Sequence, residues 1–168
     1  RIGRYHNMET VHFPLHQLDI PRLSIGTWAF SGARVWGEAD TGEAIATIHA
    51  ALDQGVNLMD TAEGYGNGRA EEVVGQAIRD RRSQVLLASK VAAAHMAPAE
   101  LIDSCEQSLR RLKTDYLDIY QLHWPNRIIP MEETVGALNK LRVLGKIRHF
   151  SVCNFNEVFL KKLSLTTD

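Results

Sequence analysis

The sequence predicts an α/β fold whose parallel sheet is assembled from repeated strand–helix units. Three observations predict it. Short, largely apolar runs alternate with amphipathic helical stretches at intervals of roughly 30 residues. The runs are compact and continuous, as strands covered on both faces are. No G-x-G-x-x-G turn follows the first of them, which ends Gly26-Thr27-Trp28-Ala29-Phe30. The glycine-rich Gly64-Tyr65-Gly66-Asn67-Gly68 follows the second strand and has the wrong spacing for that turn. Five units fit either an open doubly wound sheet or a barrel, and the missing dinucleotide fingerprint favours the barrel.

Taken in order, residues 8–22 predict an N-terminal hairpin, with Thr10 to Phe13 pairing Gln17 to Ile20. Residues 23–168 hold βα units 1 to 5. Leu23 to Thr27 is the first strand, Val56 to Asp60 the second, Val85 to Lys90 the third, Tyr116 to Leu122 the fourth and Arg148 to Val152 the fifth. Asp40 followed by Glu43 resembles a capping box that opens the first helix, with Ile45, Ile48 and Leu52 on one face. The second helix covers Ala70 to Ile78, turning Val73, Val74 and Ala77 inward. Pro98 suits the first turn of the third, whose stripe is Leu101, Cys105, Leu109 and Leu112. Pro130 opens the fourth, through Val135, Leu138 and Leu141. The fifth starts after Asn156 and buries Phe159, Leu160 and Leu163.

The composition excludes several function classes. The 168 residues are 45% apolar and 23% charged, with a net charge of −1. That balance, without a Lys/Arg run, speaks against nucleic acid as a partner. No apolar run approaches membrane-spanning length, and Arg1 to Asn7 lacks the apolar segment of a secretory signal. Cys105 and Cys153 form neither a disulfide framework nor a metal-ligand pattern, so a reducing, cytoplasmic setting is expected. His12 and His16 fall in the expected hairpin, and no H-x-H strand motif is present, so no metal site is expected.

The candidate chemistry gathers at strand ends. In a parallel barrel the C-terminal strand ends converge on one face, where active sites are built. Asp60 closes the second strand, Tyr65 lies in the loop after it, Lys90 closes the third strand and His123 follows the fourth. These types suit carbonyl reduction. Hydride arriving at carbon leaves negative charge on oxygen, so a proton donor must stand beside it. A phenol can donate, yet its ordinary pKa near ~10 makes the anion costly. A neighbouring ammonium favours that anion. Lys90 is the candidate ammonium, Asp60 would orient it, and His123 would fix the substrate oxygen. No side chain supplies hydride, so a nicotinamide cofactor is required.

The motifs are more specific than the chemistry. Asp60-Thr61-Ala62-Glu63-Gly64-Tyr65-Gly66-Asn67-Gly68 resembles the D-T-A-x-x-Y-G-x-G signature of the aldo-keto reductases. Ser89-Lys90-Val91 resembles the family's lysine-bearing strand. Asp115-Tyr116-Leu117-Asp118-Ile119-Tyr120-Gln121-Leu122-His123-Trp124-Pro125 resembles its D-Y-x-D-L-Y-x-x-H-x-P strand. Gly145-Lys146-Ile147-Arg148, leading to Asn154-Phe155, resembles its G-K-I-R segment. The flavour is that of bacterial general reductases and potassium-channel β subunits. The resemblance implies a (β/α)8 barrel, NADPH as cofactor with NADH as the second choice, and an aldehyde or ketone as substrate. It implies Tyr65 as acid, Lys90 and Asp60 as its tuning pair, and His123 as the residue that orients substrate. Thr27, Trp28, Asp60, Ser151 and Asn154 are the cofactor contacts it implies, Asn154 at the nicotinamide carboxamide. One departure is Cys153, which stands where the family carries a serine before the asparagine.

A complete barrel of this type takes about 250 residues. The fold expected of these 168 residues is therefore a barrel truncated after about five βα units, lacking the family's later cofactor-gripping loops. Such a unit is expected to reduce carbonyls weakly or not at all. Its first and fifth strands would be open to pairing with another chain. A non-enzymatic regulatory or partner-binding subunit of the channel-β type is the alternative. Trp36 has two readings, pocket wall or packed loop residue, and His95 on the active face reads as a neutral loop residue.

Overall fold

In a computed structural model, residues 9–14, 17–32 and 36–166 are described. Two antiparallel strands, β1 (Thr10–Phe13) and β2 (Leu18–Pro21), form the expected hairpin. Residues 8, 15 and 16, and so His16, lie outside the described residues.

The chain then alternates as predicted. Strand β3 (Ser24–Gly26) leads to helix α1 (Thr41–Asp53), and β4 (Leu58–Asp60) to α2 (Arg69–Ala77). Strand β5 (Leu86–Val91) leads to α3 (Pro98–Leu112), and β6 (Leu117–Leu122) to α4 (Met131–Val143). Strand β7 (Ile147–Val152) is followed by α5 (Glu157–Ser164). The five strands lie side by side in chain order, β3-β4-β5-β6-β7, and every pairing is parallel. A doubly wound sheet would reverse direction at a switch point. Here each strand adds to the same side of its predecessor, which is how a barrel grows.

The helix ends follow from local chemistry. The Asp40 carboxylate accepts the Glu43 backbone N–H at 2.8 Å, and Asn156 accepts that of Phe159 at 3.1 Å. Pro98 occupies the first turn of α3, where its missing N–H is harmless. Each helix lays its apolar stripe on the outer face of the sheet. Ile48, Val74, Leu101, Leu109, Leu112, Leu138 and Leu141 pack there with Met59, Leu87, Val91, Tyr120 and Leu122. One expectation fails on α5. Leu160 is 46% exposed, whereas Phe159 and Leu163 are half-buried. A single residue step turns a helix by about 100°, which sets Leu160 away from Phe159, to the edge of the face that Phe159 and Leu163 share.

Because side chains alternate along a strand, the residues between these outer positions point to the opposite, inner face. That face carries Asp60, Lys90 and Gln121, with Lys90 and Gln121 in register as neighbours on β5 and β6. The opposite ends of the strands are closed by charge. Asp118, 3% exposed at its side chain, accepts Arg82 at 2.8 Å and the Leu87 backbone N–H at 2.9 Å on one oxygen. Its other oxygen accepts Arg148 at 2.7 Å. Both guanidinium groups also lie over the Tyr116 ring, at 4.0 and 4.2 Å. This knot ties β5, β6 and β7 together at their starts and leaves the far ends for chemistry.

Candidate active site

The loop after β4 is shaped by its own backbone. Thr27 donates both its amide and its hydroxyl to the Asp60 carbonyl, each at 3.0 Å, which ends β4 and fixes the carboxylate's root. Thr61 and Glu63 then donate their N–H groups to the Ala88 and Lys90 carbonyls, so the chain follows β5 a little further. Gly66, Asn67 and Gly68 are three successive residues with positive φ, at 60°, 53° and 90°. They swing the chain round into α2. A Cβ on Gly66 would press into Ser31, and one on Gly68 would collide with the Arg111 side chain. Their role is therefore shape, since an L side chain is disfavoured here twice over.

This path brings Tyr65 back over Lys90. The Lys90 ammonium is almost wholly buried and has three donors, and three acceptors meet them. The Asp60 carboxylate lies 2.7 Å away, the Thr61 carbonyl 3.0 Å and the Tyr65 hydroxyl oxygen 3.2 Å. The other oxygen of Asp60 accepts the Gln121 amide at 3.3 Å. Since Lys90 donates to the phenol oxygen, the phenol's own hydrogen points elsewhere. Among the described residues no acceptor is in hydrogen-bond reach of it. The arrangement is a phenol with an ammonium beside its oxygen.

His123 stands across from the phenol. Its ring meets Tyr65 edge-on, with centroids 5.7 Å apart. Partial burial, and after it the Lys90 charge, hold its pKa below the ordinary 6.5, against the weaker opposite pull of Asp60 and Glu63. At neutral pH the imidazole is uncharged and can hydrogen-bond an oxygen without bringing a second cation to the site. Three partly exposed tryptophans complete an aromatic wall. Trp28 stacks on Tyr65 at 6.0 Å, Trp36 meets Trp28 edge-on at 5.7 Å, and Trp124 lies against His123 at 6.3 Å. Trp36 is exposed and touches Trp28.

The four residues expected to act together, Asp60, Tyr65, Lys90 and His123, thus meet at one end of the sheet. The residues expected to touch cofactor are placed differently from one another. Trp28 is exposed beside Tyr65. Thr27 is fully buried, its hydroxyl committed to the Asp60 carbonyl. Ser151 is half-buried on β7, in register with Gln121. Asn154 is exposed just past β7 with φ of 60°, and its amide nitrogen donates to the His123 carbonyl at 2.9 Å and to the Cys153 sulfur at 3.2 Å. Cys153 therefore acts as an acceptor toward Asn154, one side chain away.

Sequence reasoning missed Gln121, Glu63 and Glu71. Gln121 had a signal, as the polar residue at the inward parity that Leu117 and Ile119 otherwise fill. Glu63 accepts the Ala92 N–H at 2.6 Å and bonds His95 at 2.9 Å, tying the Tyr65 loop to the segment after β5. Glu71 had a weak signal, since it stands three residues before the inward Val74, but its charge makes the Glu71-Glu72 pair look like a solvated face.

Known proteins share this arrangement of sequence and fold. The aldo/keto reductase family model matches residues 22–166. The chain is 44% identical over 149 residues to the aldo-keto reductase YhdN of Bacillus subtilis, covering 83% of this chain and 45% of that protein. It is 39% identical over 146 residues to the methylglyoxal reductase YeaE of Escherichia coli, covering 87% and 50%. It superposes on the crystal structure of an aldo-keto reductase from Klebsiella pneumoniae in complex with NADPH, with a TM-score of 0.86 and 42% identity. That match covers 96% of this chain and 55% of the other. The chain spans about half the length of the curated relatives it matches.

Proposed function

The chain belongs to the aldo/keto reductase family, and on that premise we propose that its tetrad reduces aldehydes and ketones to alcohols, with NADPH as the hydride source. The single observation that carries this reading is the three-way donation of Lys90, which sets a buried ammonium against the Tyr65 phenol oxygen and anchors it on Asp60 and Thr61.

Bound NADPH supplies the hydride; everything else is the work of side chains. The residues present fit such a group. Asn154 is exposed beside His123 with its amide nitrogen already committed, so its amide oxygen remains an acceptor for a carboxamide. Trp28 and Ser151 border the same end of the sheet. His123, uncharged at neutral pH, donates a hydrogen bond that holds the substrate oxygen near the Tyr65 hydroxyl. As charge develops on that oxygen, Tyr65 releases its proton to it. The phenolate left behind is stabilised by the Lys90 ammonium at 3.2 Å, and Asp60 keeps that ammonium in place. The aromatic wall of Trp28, Trp36 and Trp124 suits small carbonyl compounds, methylglyoxal among them.

A five-stranded unit alone is expected to be a weak reductase, since the family resemblance assigns further cofactor contacts to later strands. The site also speaks for turnover over a purely regulatory role, which would not need a proton donor paired with an ammonium. The direct test follows NADPH consumption by the protein with a panel of small aldehydes and ketones. Saturable consumption with stoichiometric alcohol is the expected result. No consumption with any member, despite measurable NADPH binding, would overturn the proposal.

A further inference from the structure

Tyr65 and Lys90 are joined a second time, on the helix-covered side of the sheet. Glu71, in the first turn of α2, is fully buried, yet its carboxylate is saturated. One oxygen accepts the Ser89 hydroxyl at 2.5 Å, and the other accepts the Arg111 Nε at 2.6 Å. Ser89 immediately precedes Lys90 on β5. Arg111, from the last turn of α3, lies against Gly68, where a Cβ would displace its guanidinium end. Its Nη2 also donates to Ser108 at 3.3 Å. The Tyr65 loop is thus tied to β5 on both sides of the tyrosine. Glu63 holds the stretch before it, through the Lys90 carbonyl and the Ala92 N–H. Glu71 holds the stretch after it.

We infer that Glu71 is a positioning residue that sets the distance between the Tyr65 hydroxyl and the Lys90 ammonium. The inference rests on the reading of Tyr65 as proton donor. A fully buried carboxylate is a costly way to fill space, and a well-packed apolar group would serve mere cohesion as well. What the carboxylate adds is direction. Two charge-assisted or short hydrogen bonds from one rigid group fix the start of α2 against β5 and α3 together. That precision matters because the Tyr65–Lys90 separation, 3.2 Å, already lies at the long end of the hydrogen-bond range. A further slip of about half an ångström would break the contact.

The test uses the active protein with Ser89→Ala, which removes one bond and leaves the Glu71–Arg111 pair, and with Glu71→Gln. Arg148→Ala, at the other end of the strands, is the control for simple loss of stability. Ser89→Ala is expected to lower kcat about tenfold, with KM and NADPH affinity unchanged. It should also move the pH profile of the reverse alcohol oxidation to higher pH, because a more distant ammonium stabilises the phenolate less. Glu71→Gln should act in the same direction and further. Arg148→Ala should lower Tm and leave both readouts in place. If Ser89→Ala and Glu71→Gln lower only Tm, with kcat and pH profile as in the parent, the inference is overturned. Should Glu71→Gln not fold, Ser89→Ala decides alone. Should the parent reduce no carbonyl, the functional reading fails. The crystal structure of Ser89→Ala then judges positioning. A widened Tyr65–Lys90 gap supports it, and an unchanged gap overturns it.

Discussion

Opposite ends of the same strands carry nearly the same ingredients: an aspartate, cationic side chains and a tyrosine. At the starting end, Asp118 is bound by Arg82, Arg148 and the Leu87 amide, with both guanidinium groups over Tyr116. At the finishing end, Asp60 is bound by Lys90 and Gln121, with Tyr65 above the ammonium. The ends differ in the cation and in what it faces. Guanidinium does not deprotonate in proteins, and its planar donors lock onto the Asp118 oxygens from two sides. Asp118 is almost inaccessible, so the knot holds strands and does no chemistry. At the other end a compact ammonium points at a hydroxyl oxygen, and that hydroxyl's hydrogen has no described acceptor.

The contrast can be broken from either side. The largest effect is expected from Lys90→Met, which removes the cation beside the phenol. Turnover should fall by about 10²- to 10⁴-fold in steady-state assays at saturating NADPH. Near-parental turnover would show that the ammonium has no part in proton donation. Asp118→Ala should instead cost about 3–5 kcal/mol in denaturant unfolding, because it takes the counter-ion from Arg82 and Arg148 and the acceptor from the buried Leu87 amide. The protein that remains folded should turn over at the parental rate, and a matching loss of kcat would erase the distinction between the two ends.

Gly68→Ala sits between the two regimes. Positive φ alone costs about 1–2 kcal/mol, and the contact with Arg111 adds to it. Both Tm and kcat should drop, because the glycine shapes the loop that carries Tyr65. The smallest effect concerns His123. Its folded pKa lies below the ordinary 6.5, so the unfolded chain takes up its proton first as pH falls. Stability is unaffected above that ordinary value and declines as pH drops through 6.5 toward the folded value. Comparing urea midpoints at about pH 7.5 and about pH 5 should show a smaller decline for His123→Gln than for the parent. An equal decline would place the acid sensitivity elsewhere.

Much of this was legible before any coordinates. Asp60, Tyr65, Lys90 and His123 could be grouped because strand ends in a parallel barrel converge, and because their chemistry is complementary. The strand and helix spans were readable from apolar period and cap residues such as Asp40, Pro98 and Asn156. Barrel against open sheet was not readable from period alone, since both repeat strand and helix alike. Only the strand order, each strand beside its predecessor, separates them. Glu71 and Glu72 show a deeper limit. Charge hides what helical period shows: Glu71 falls at the edge of the face that Val74 and Ile78 share and is fully buried, whereas Glu72 points opposite and is exposed. Leu160 errs in the opposite sense. An apolar residue beside a buried stripe reads as part of it until a neighbour is seen to cover it or not.

The account stands most directly on one substitution, Tyr65→Phe, which removes a single oxygen and keeps the ring that stacks on Trp28. Carbonyl reduction should fall at least about 100-fold while NADPH binds with parental affinity. Reduction at the parental rate would contradict the claim that this hydroxyl delivers the proton.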